Sequence, residues 1–146
     1  MKCIYCESPD IRAREITRNE YARAFPTNIP IVPGHVLVAP VRCVEHIEDL
    51  TEEEHRALFA LITAIKRALR KSLDAEGFNC AWNDGEVAGQ SIPHLHIHIV
   101  PRKAGDTGIL EYEPRKFLYR PGSREKAPEM ELIAVAKAIE EALGAH

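Results

Sequence analysis

Polar and apolar positions alternate through Gln90-Ser91-Ile92-Pro93-His94-Leu95-His96-Ile97-His98-Ile99-Val100-Pro101-Arg102. A period of two marks a strand. The pattern therefore predicts that His94, His96 and His98 leave one face, while Leu95, Ile97 and Ile99 leave the other and enter a core. Phe78-Asn79-Cys80-Ala81-Trp82-Asn83 alternates as well and predicts an antiparallel partner, with Cys80 expected in the core. Asp84-Gly85 and Ala88-Gly89 make the connection between them turn-rich. His35-Val36-Leu37-Val38-Ala39-Pro40 predicts a buried strand, and Ile11 to Phe25 predicts two short strands joined near Arg18-Asn19. Pro26, Pro30, Pro33 and Gly34 punctuate the stretch between.

Helical spacing takes over at Leu58, Leu61, Ile62, Ile65 and Leu69. Thr51-x-x-Glu54 is a capping box for that helix; Glu52 and Glu53 suit its N-terminus, and Arg67, Arg70 and Lys71 its C-terminus. Pro128 opens a last helix with Leu132, Val135, Ala136, Ile139 and Leu143 on one face, closed by Gly144. Residues 103–127 read as mostly irregular. Several strands, few helices and no βαβ rhythm predict a mainly antiparallel α+β domain.

Composition changes this picture little. The chain has 146 residues, 45% hydrophobic and 28% charged, which suits one domain over residues 1–146. Its net charge of −3 argues against bulk nucleic-acid or anionic-membrane binding, so any bound anion must be met locally. No apolar run approaches the roughly 20 residues of a membrane span. Met1-Lys2-Cys3-Ile4-Tyr5-Cys6 lacks a signal-peptide layout, so a cytoplasmic location is expected. There the four cysteines are expected to be reduced, and Cys3-x-x-Cys6 reads as a metal half-site. His55 lies in a charged helical turn and reads as solvated; terminal His146 carries no weight.

The histidine run carries the chemistry. At about 3.3 Å per residue, the outer two Cα atoms of three alternating histidines lie roughly 13 Å apart. Metal–nitrogen bonds are only about 2 Å long. Different roles for the three rings therefore fit better than one shared ion. His96, in the middle, suits direct attack on carbon or phosphorus, provided that a carbonyl or another polar group orients its second nitrogen. Gly85, Gly89, Gln90 and Ser91 can present amides and short polar groups to a phosphate, and Asn83 can add a donor.

Asn83-Asp84-Gly85-x-x-Ala88-Gly89-Gln90-Ser91-x-x-His94-x-His96-x-His98-x-x-Pro101-Arg102-Lys103-Ala104-Gly105-Asp106 resembles the signature of the histidine triad (HIT) family, above all its fragile-histidine-triad branch of dinucleoside polyphosphate hydrolases. Pro33-Gly34-His35-Val36-Leu37-Val38-Ala39-Pro40 resembles a second family segment. The likeness runs from about residue 3 to 106, leaving 107–146 as a C-terminal loop and helix. It implies a HIT-like antiparallel sheet with one central helix. It also implies a nucleotide hydrolase or transferase that attacks an α-phosphate through a covalent nucleotidyl-His96. His98 and His35 would support that residue; Asn83, Gly89, Gln90 and Ser91 would hold phosphate or leaving group, and Asn28 the ribose. Similarity to bacterial and archaeal members further implies structural Zn2+ on Cys3, Cys6, His46 and His94, with no catalytic cofactor. Cys43, close to His46, competes for the third place.

The resemblance also implies an adenine-containing nucleotide and a homodimer. Lys103-Ala104-Gly105-Asp106 leans towards dinucleoside polyphosphates, whereas Asn83 and Ser91 suit phosphoramidates equally. Residues 111–124, with Tyr112, Phe117 and Tyr119, are expected to cover the site or the dimer seam. Two other readings stay open: a non-catalytic nucleotide-binding module, and a zinc-dependent hydrolase using His94, His96 and a metal-bound water.

Overall fold

The computed structural model describes residues 3–108 and 125–144. In chain order the elements are helices α1 (Ile4–Glu7) and α2 (Pro9–Ala13), strands β1 (Thr17–Arg18), β2 (Ala22–Pro26) and β3 (Val36–Pro40), helix α3 (Glu52–Leu73), strands β4 (Gly77–Ala81) and β5 (Ile97–Arg102), and helix α4 (Glu129–Leu143). Short 3₁₀ turns cover Ile47–Asp49 and Glu86–Ala88. The strands form one sheet in the order β1-β2-β3-β5-β4, with every pairing antiparallel. This is the α+β architecture that the hydrophobic pattern predicts. Among the described residues no helix is long and apolar enough to cross a membrane.

Period-two alternation gives the sheet two different faces. Ala22, Ala24, Val36, Val38, Ile97 and Ile99 turn towards α3 and α4, where they pack with Leu58, Leu61, Ile62, Ile65, Leu69 and Ile139. Register links them directly, as in Val36 with Ile99 and Val38 with Ile97. Phe25 and Leu37 face the other way and meet Ile11, Ala39 and Tyr5. Phe25 pairs with Leu37, and Leu37 with His98, so one cross-strand row joins an apolar floor to an imidazole.

Local chemistry sets the boundaries. Thr51 and Glu54 cap α3 reciprocally: Thr51 Oγ1 accepts from the Glu54 N–H at 3.1 Å, and Glu54 Oε1 from the Thr51 N–H at 2.9 Å. Asn19 Oδ1 accepts from the N–H groups of Tyr21 and Ala22, which makes the expected turn between β1 and β2. The first of the two strands expected after Ile11 starts later than the pattern suggests. Ser8 Oγ accepts from the Ile11 N–H and Pro9 stands at the first helical position, so residues 9–13 are helical.

Gly144 closes α4 as the pattern predicts, and Asp74 ends α3 in a left-handed conformation. Two other expectations are corrected. Cys80 is exposed, because β4 is an edge strand. The strand of the triple histidine begins only at Ile97. Residues 92–94 bend, and the Leu95 N–H donates to the Val44 carbonyl at 2.7 Å. Residues 109–124, with Tyr112, Phe117 and Tyr119, lie outside the described residues.

Candidate active site

Below the polar face of the sheet lies a cleft of about 440 Å³. Leu37, Phe25 and Ile11 supply apolar lining; Ser91, His96 and His98 stand at its polar end. Tyr5 and Arg14 close it from the N-terminal helices, Lys126 and Glu129 from the C-terminal segment, and Asn28 from the loop after β2. Strand spacing of about 4.8 Å puts Phe25, two strands from His98 along the paired row, roughly 10 Å from it.

The imidazoles are oriented by backbone. His96 Nδ1 lies 2.8 Å from the His94 carbonyl oxygen. A carbonyl only accepts, so Nδ1 carries the proton and Nε2 the lone pair. His96 is 8% exposed, and burial pushes its pKa down to about 4, so the ring is neutral at pH 7. His35 is fully buried behind β5; its Nδ1 accepts from the Ile31 N–H at 3.1 Å, which places its own proton on Nε2. That nitrogen lies 2.9 Å from His98 Nδ1. His35 therefore donates its Nε2–H to His98 Nδ1, which leaves the His98 proton on Nε2, at the cleft that His98 lines. Gly34, before His35, has φ +90°, a left-handed conformation that favours glycine, and a Cβ there would meet the Leu73 side chain.

Of the substrate-binding residues expected from sequence, Asn28 and Ser91 line the cleft; Asn83, Gly89 and Gln90 do not. Gln90 braces the loop instead. Its Oε1 accepts from the Gly85 N–H at 2.8 Å, and its Nε2 donates to the Glu45 carbonyl at 3.2 Å. Gly89 ends the 3₁₀ turn at φ 109°, a conformation suited to glycine.

His94 is turned away from the cleft chemistry. Its Nε2–H donates to the Pro40 carbonyl at 2.8 Å, so the lone pair is on Nδ1, 3.1 Å from Cys3 Sγ and 3.7 Å from Cys6 Sγ. Cys43 completes the group, whose four ligand atoms all lie within 4.8 Å of one another. Zinc–sulfur bonds of about 2.3 Å in a tetrahedron place neighbouring sulfurs about 3.8 Å apart, so three thiolates and one imidazole here can hold a metal ion. Burial opposes ionisation of Cys3, but hydrogen bonds from Cys43 and Cys6 hold its pKa below the ordinary value. Burial and the neighbouring Cys3 push the Cys43 thiol up to about 12. The expected third ligand, His46, is not in this group: its Nδ1 lies 2.6 Å from Asp84 Oδ1, and that carboxylate raises its pKa. His94 and His96 are turned differently: His94 sets its Nδ1 against the cysteine sulfurs, whereas His96 gives its Nδ1–H to the His94 carbonyl.

A model of the HIT domain matches residues 8–105. The chain belongs to the histidine triad family. This HIT protein is 37% identical over 105 residues to the bis(5'-nucleosyl)-tetraphosphatase (asymmetrical) of Schizosaccharomyces pombe, covering 72% of the chain and 58% of that relative. It is 39% identical over 114 residues to the bis(5'-adenosyl)-triphosphatase of Saccharomyces cerevisiae, covering 77% and 55%. The chain thus spans little more than half the length of either. Among solved structures, a zinc-bound HIT family protein of Mycobacterium smegmatis superposes with a TM-score of 0.74 at 28% identity, covering 99% of this chain and 94% of that one.

The sequence did not reveal the apolar end of the cleft and its closing residues. Phe25 and Leu37 carried a signal, since both alternate with core residues and so share the outer face. Tyr5, Arg14 and Glu129 carried none, because only tertiary packing brings both ends of the chain together.

Proposed function

We propose that this HIT protein is a nucleotidyl hydrolase or transferase acting on the α-phosphate of a nucleoside polyphosphate or phosphoramidate. The observation that carries this reading is the bond from His96 Nδ1–H to the His94 carbonyl, which leaves a neutral, unprotonated Nε2 on a cleft of nucleotide size. Nε2 attacks the α-phosphorus; a nitrogen–phosphorus bond forms as the bond to the leaving group breaks. His98 Nε2–H, fixed by the His35 bond, donates to a phosphoryl oxygen whose charge grows in the transition state. Water then attacks the phosphorus, the nitrogen–phosphorus bond breaks, and a mononucleotide leaves with the imidazole restored. Another acceptor in place of water makes the reaction a transfer. In this reading Ser91 holds phosphate and Asn28 the ribose, supported by their place in the lining of the cleft, while His35, Gln90 and the glycines act as positioning residues.

Relatives named as bis(5'-adenosyl)-triphosphatases support an adenine-containing dinucleotide as the substrate. The metal of the sulfur cluster is read as structural zinc, in line with the zinc-bound neighbour, and would pin the N-terminus to the strand bearing His96. Its thiol ligands fit a reducing, cytoplasmic setting. The outer edge of β4 is the surface where two copies would join sheets into a homodimer.

Replacing His96 by Ala tests the reading. Turnover of diadenosine triphosphate, diadenosine tetraphosphate and an AMP phosphoramidate, scored by product chromatography, is expected to fall about a thousandfold or more. AMP binding measured by calorimetry is expected to remain. Substantial residual turnover removes the nucleophile assignment, and AMP binding without turnover by the unaltered protein supports the module reading instead.

A further inference from the structure

Tyr5 stands between the first two sulfurs of the metal cluster and at the wall of the cleft at once. The Cys6 and Glu7 N–H groups both donate to the Cys3 carbonyl at 3.1 Å, closing a single helical turn around it. Its ring centroid lies 5.1 Å from that of His96, 5.7 Å from that of His94 and 5.3 Å from that of Phe25, each at an edge-on angle. Phe25 is the end of the cross-strand row that starts at His98, the region that a nucleoside would reach from a phosphate at His96.

The α1 helix has four residues and none of them is buried. A helix so short does not persist in water by itself. Its ties to the body among the described residues include the Arg23 guanidinium on the Tyr5 carbonyl, at 2.6 Å, the packing of the Tyr5 ring, and the sulfur atoms facing His94. A metal ion bonded to Cys3, Cys6, Cys43 and His94 fastens both ends of the turn to the body. A nucleoside packed on the Tyr5 ring fastens its middle. Both stabilise the same ordered arrangement, so each reduces the ordering that the other must impose.

We propose that Tyr5 is a substrate-positioning residue whose place is set by the cysteine cluster, so that metal and nucleotide bind cooperatively. This rests on the nucleotide reading above and adds to it a coupling between two separate sites. Linkage requires the effect to be reciprocal, with one factor raising both affinities.

Cobalt(II) and AMP are suitable probes, because the visible and charge-transfer bands of a cobalt–thiolate centre report cluster occupancy without any assay of activity. Cobalt(II) is titrated against a competing chelator with and without AMP, and AMP is titrated calorimetrically into metal-loaded and metal-free protein. The expected result is an increase of about fivefold or more in each affinity, by the same factor. Tyr5→Ala is expected to abolish the factor while the cobalt–thiolate spectrum stays, and Tyr5→Phe, which keeps the ring, to preserve it. Equal AMP affinities with and without metal overturn the coupling alone, and so does a coupling that survives in Tyr5→Ala. Failure of AMP to bind either form overturns the nucleotide reading together with the coupling, and absence of the cobalt–thiolate bands overturns the metal half of the proposal.

Discussion

At His94 and His96 a backbone carbonyl accepts a hydrogen bond from the ring N–H, that of Nε2 in the first and of Nδ1 in the second. Two histidines a single residue apart are thereby given opposite tasks: one turns its lone pair to sulfur, the other to the cleft. The sequence pattern carries the division of labour, since three close imidazoles cannot comfortably share one ion. It does not carry the identity of the third metal-facing residue. Cys43 and His46 sit in the same connection after β3, and their numbering alone does not say which one turns inward. The structure selects Cys43 because Asp84 holds His46 aside. Cys43→Ser is expected to lose most of its zinc and to melt at a lower temperature, whereas His46→Ala is expected to keep the metal. Elemental analysis of the two variants, followed by melting with and without chelator, decides it; loss of zinc in His46→Ala alone returns the ligand role to that residue.

Elements with strong local chemistry were legible, and elements set by distant partners were not. The α3 helix was readable because its apolar stripe, capping box and charge asymmetry agree. By contrast, a helix over residues 9–13 depends on one serine cap and one proline, signals too short to override the strand-like residues beside them. The exposure of Cys80 follows from strand order, which alternation does not encode. The α3 cap also carries a pH dependence. Glu54 is 4% exposed; the Arg42 guanidinium, then the capping bonds to Thr51, hold its pKa at about 2 against an ordinary 4.5. A carboxylate depressed in the folded state stabilises fully above its unfolded value, and that contribution is lost as pH falls from about 4.5 towards 2. Glu54→Gln is therefore expected to lower the melting temperature near neutrality and to flatten its decline over this acid range. A melting profile in that range as steep as that of the unaltered protein removes Glu54 as the source.

The cleft as a whole is assembled from parts far apart in sequence, and one wall comes from beyond the span that the HIT family model matches. Two ties fix that wall. The Ala127 N–H donates to the Asn28 carbonyl at 2.7 Å, and Arg14 Nη1 donates to both carboxylate oxygens of Glu129, at 2.5 and 3.1 Å. Arg14 is only 5% exposed, with its Nε–H on the Pro26 carbonyl, so Glu129 neutralises a nearly buried cation. Removal of that carboxylate leaves the guanidinium short of a partner at a cost of about 1–3 kcal/mol. It also frees the start of α4 from α2 across the cleft. Neither group touches His96, so the expected loss falls on binding. Glu129→Ala is expected to raise the KM for a dinucleotide several-fold while kcat changes little, and Glu129→Gln, which keeps one acceptor, to lie between it and the unaltered protein. Steady-state kinetics separates the outcomes. A fall in kcat at unchanged KM would mean that α4 acts on the chemistry at His96, and unchanged kinetics with a lowered melting temperature would reduce the pair to a structural tie.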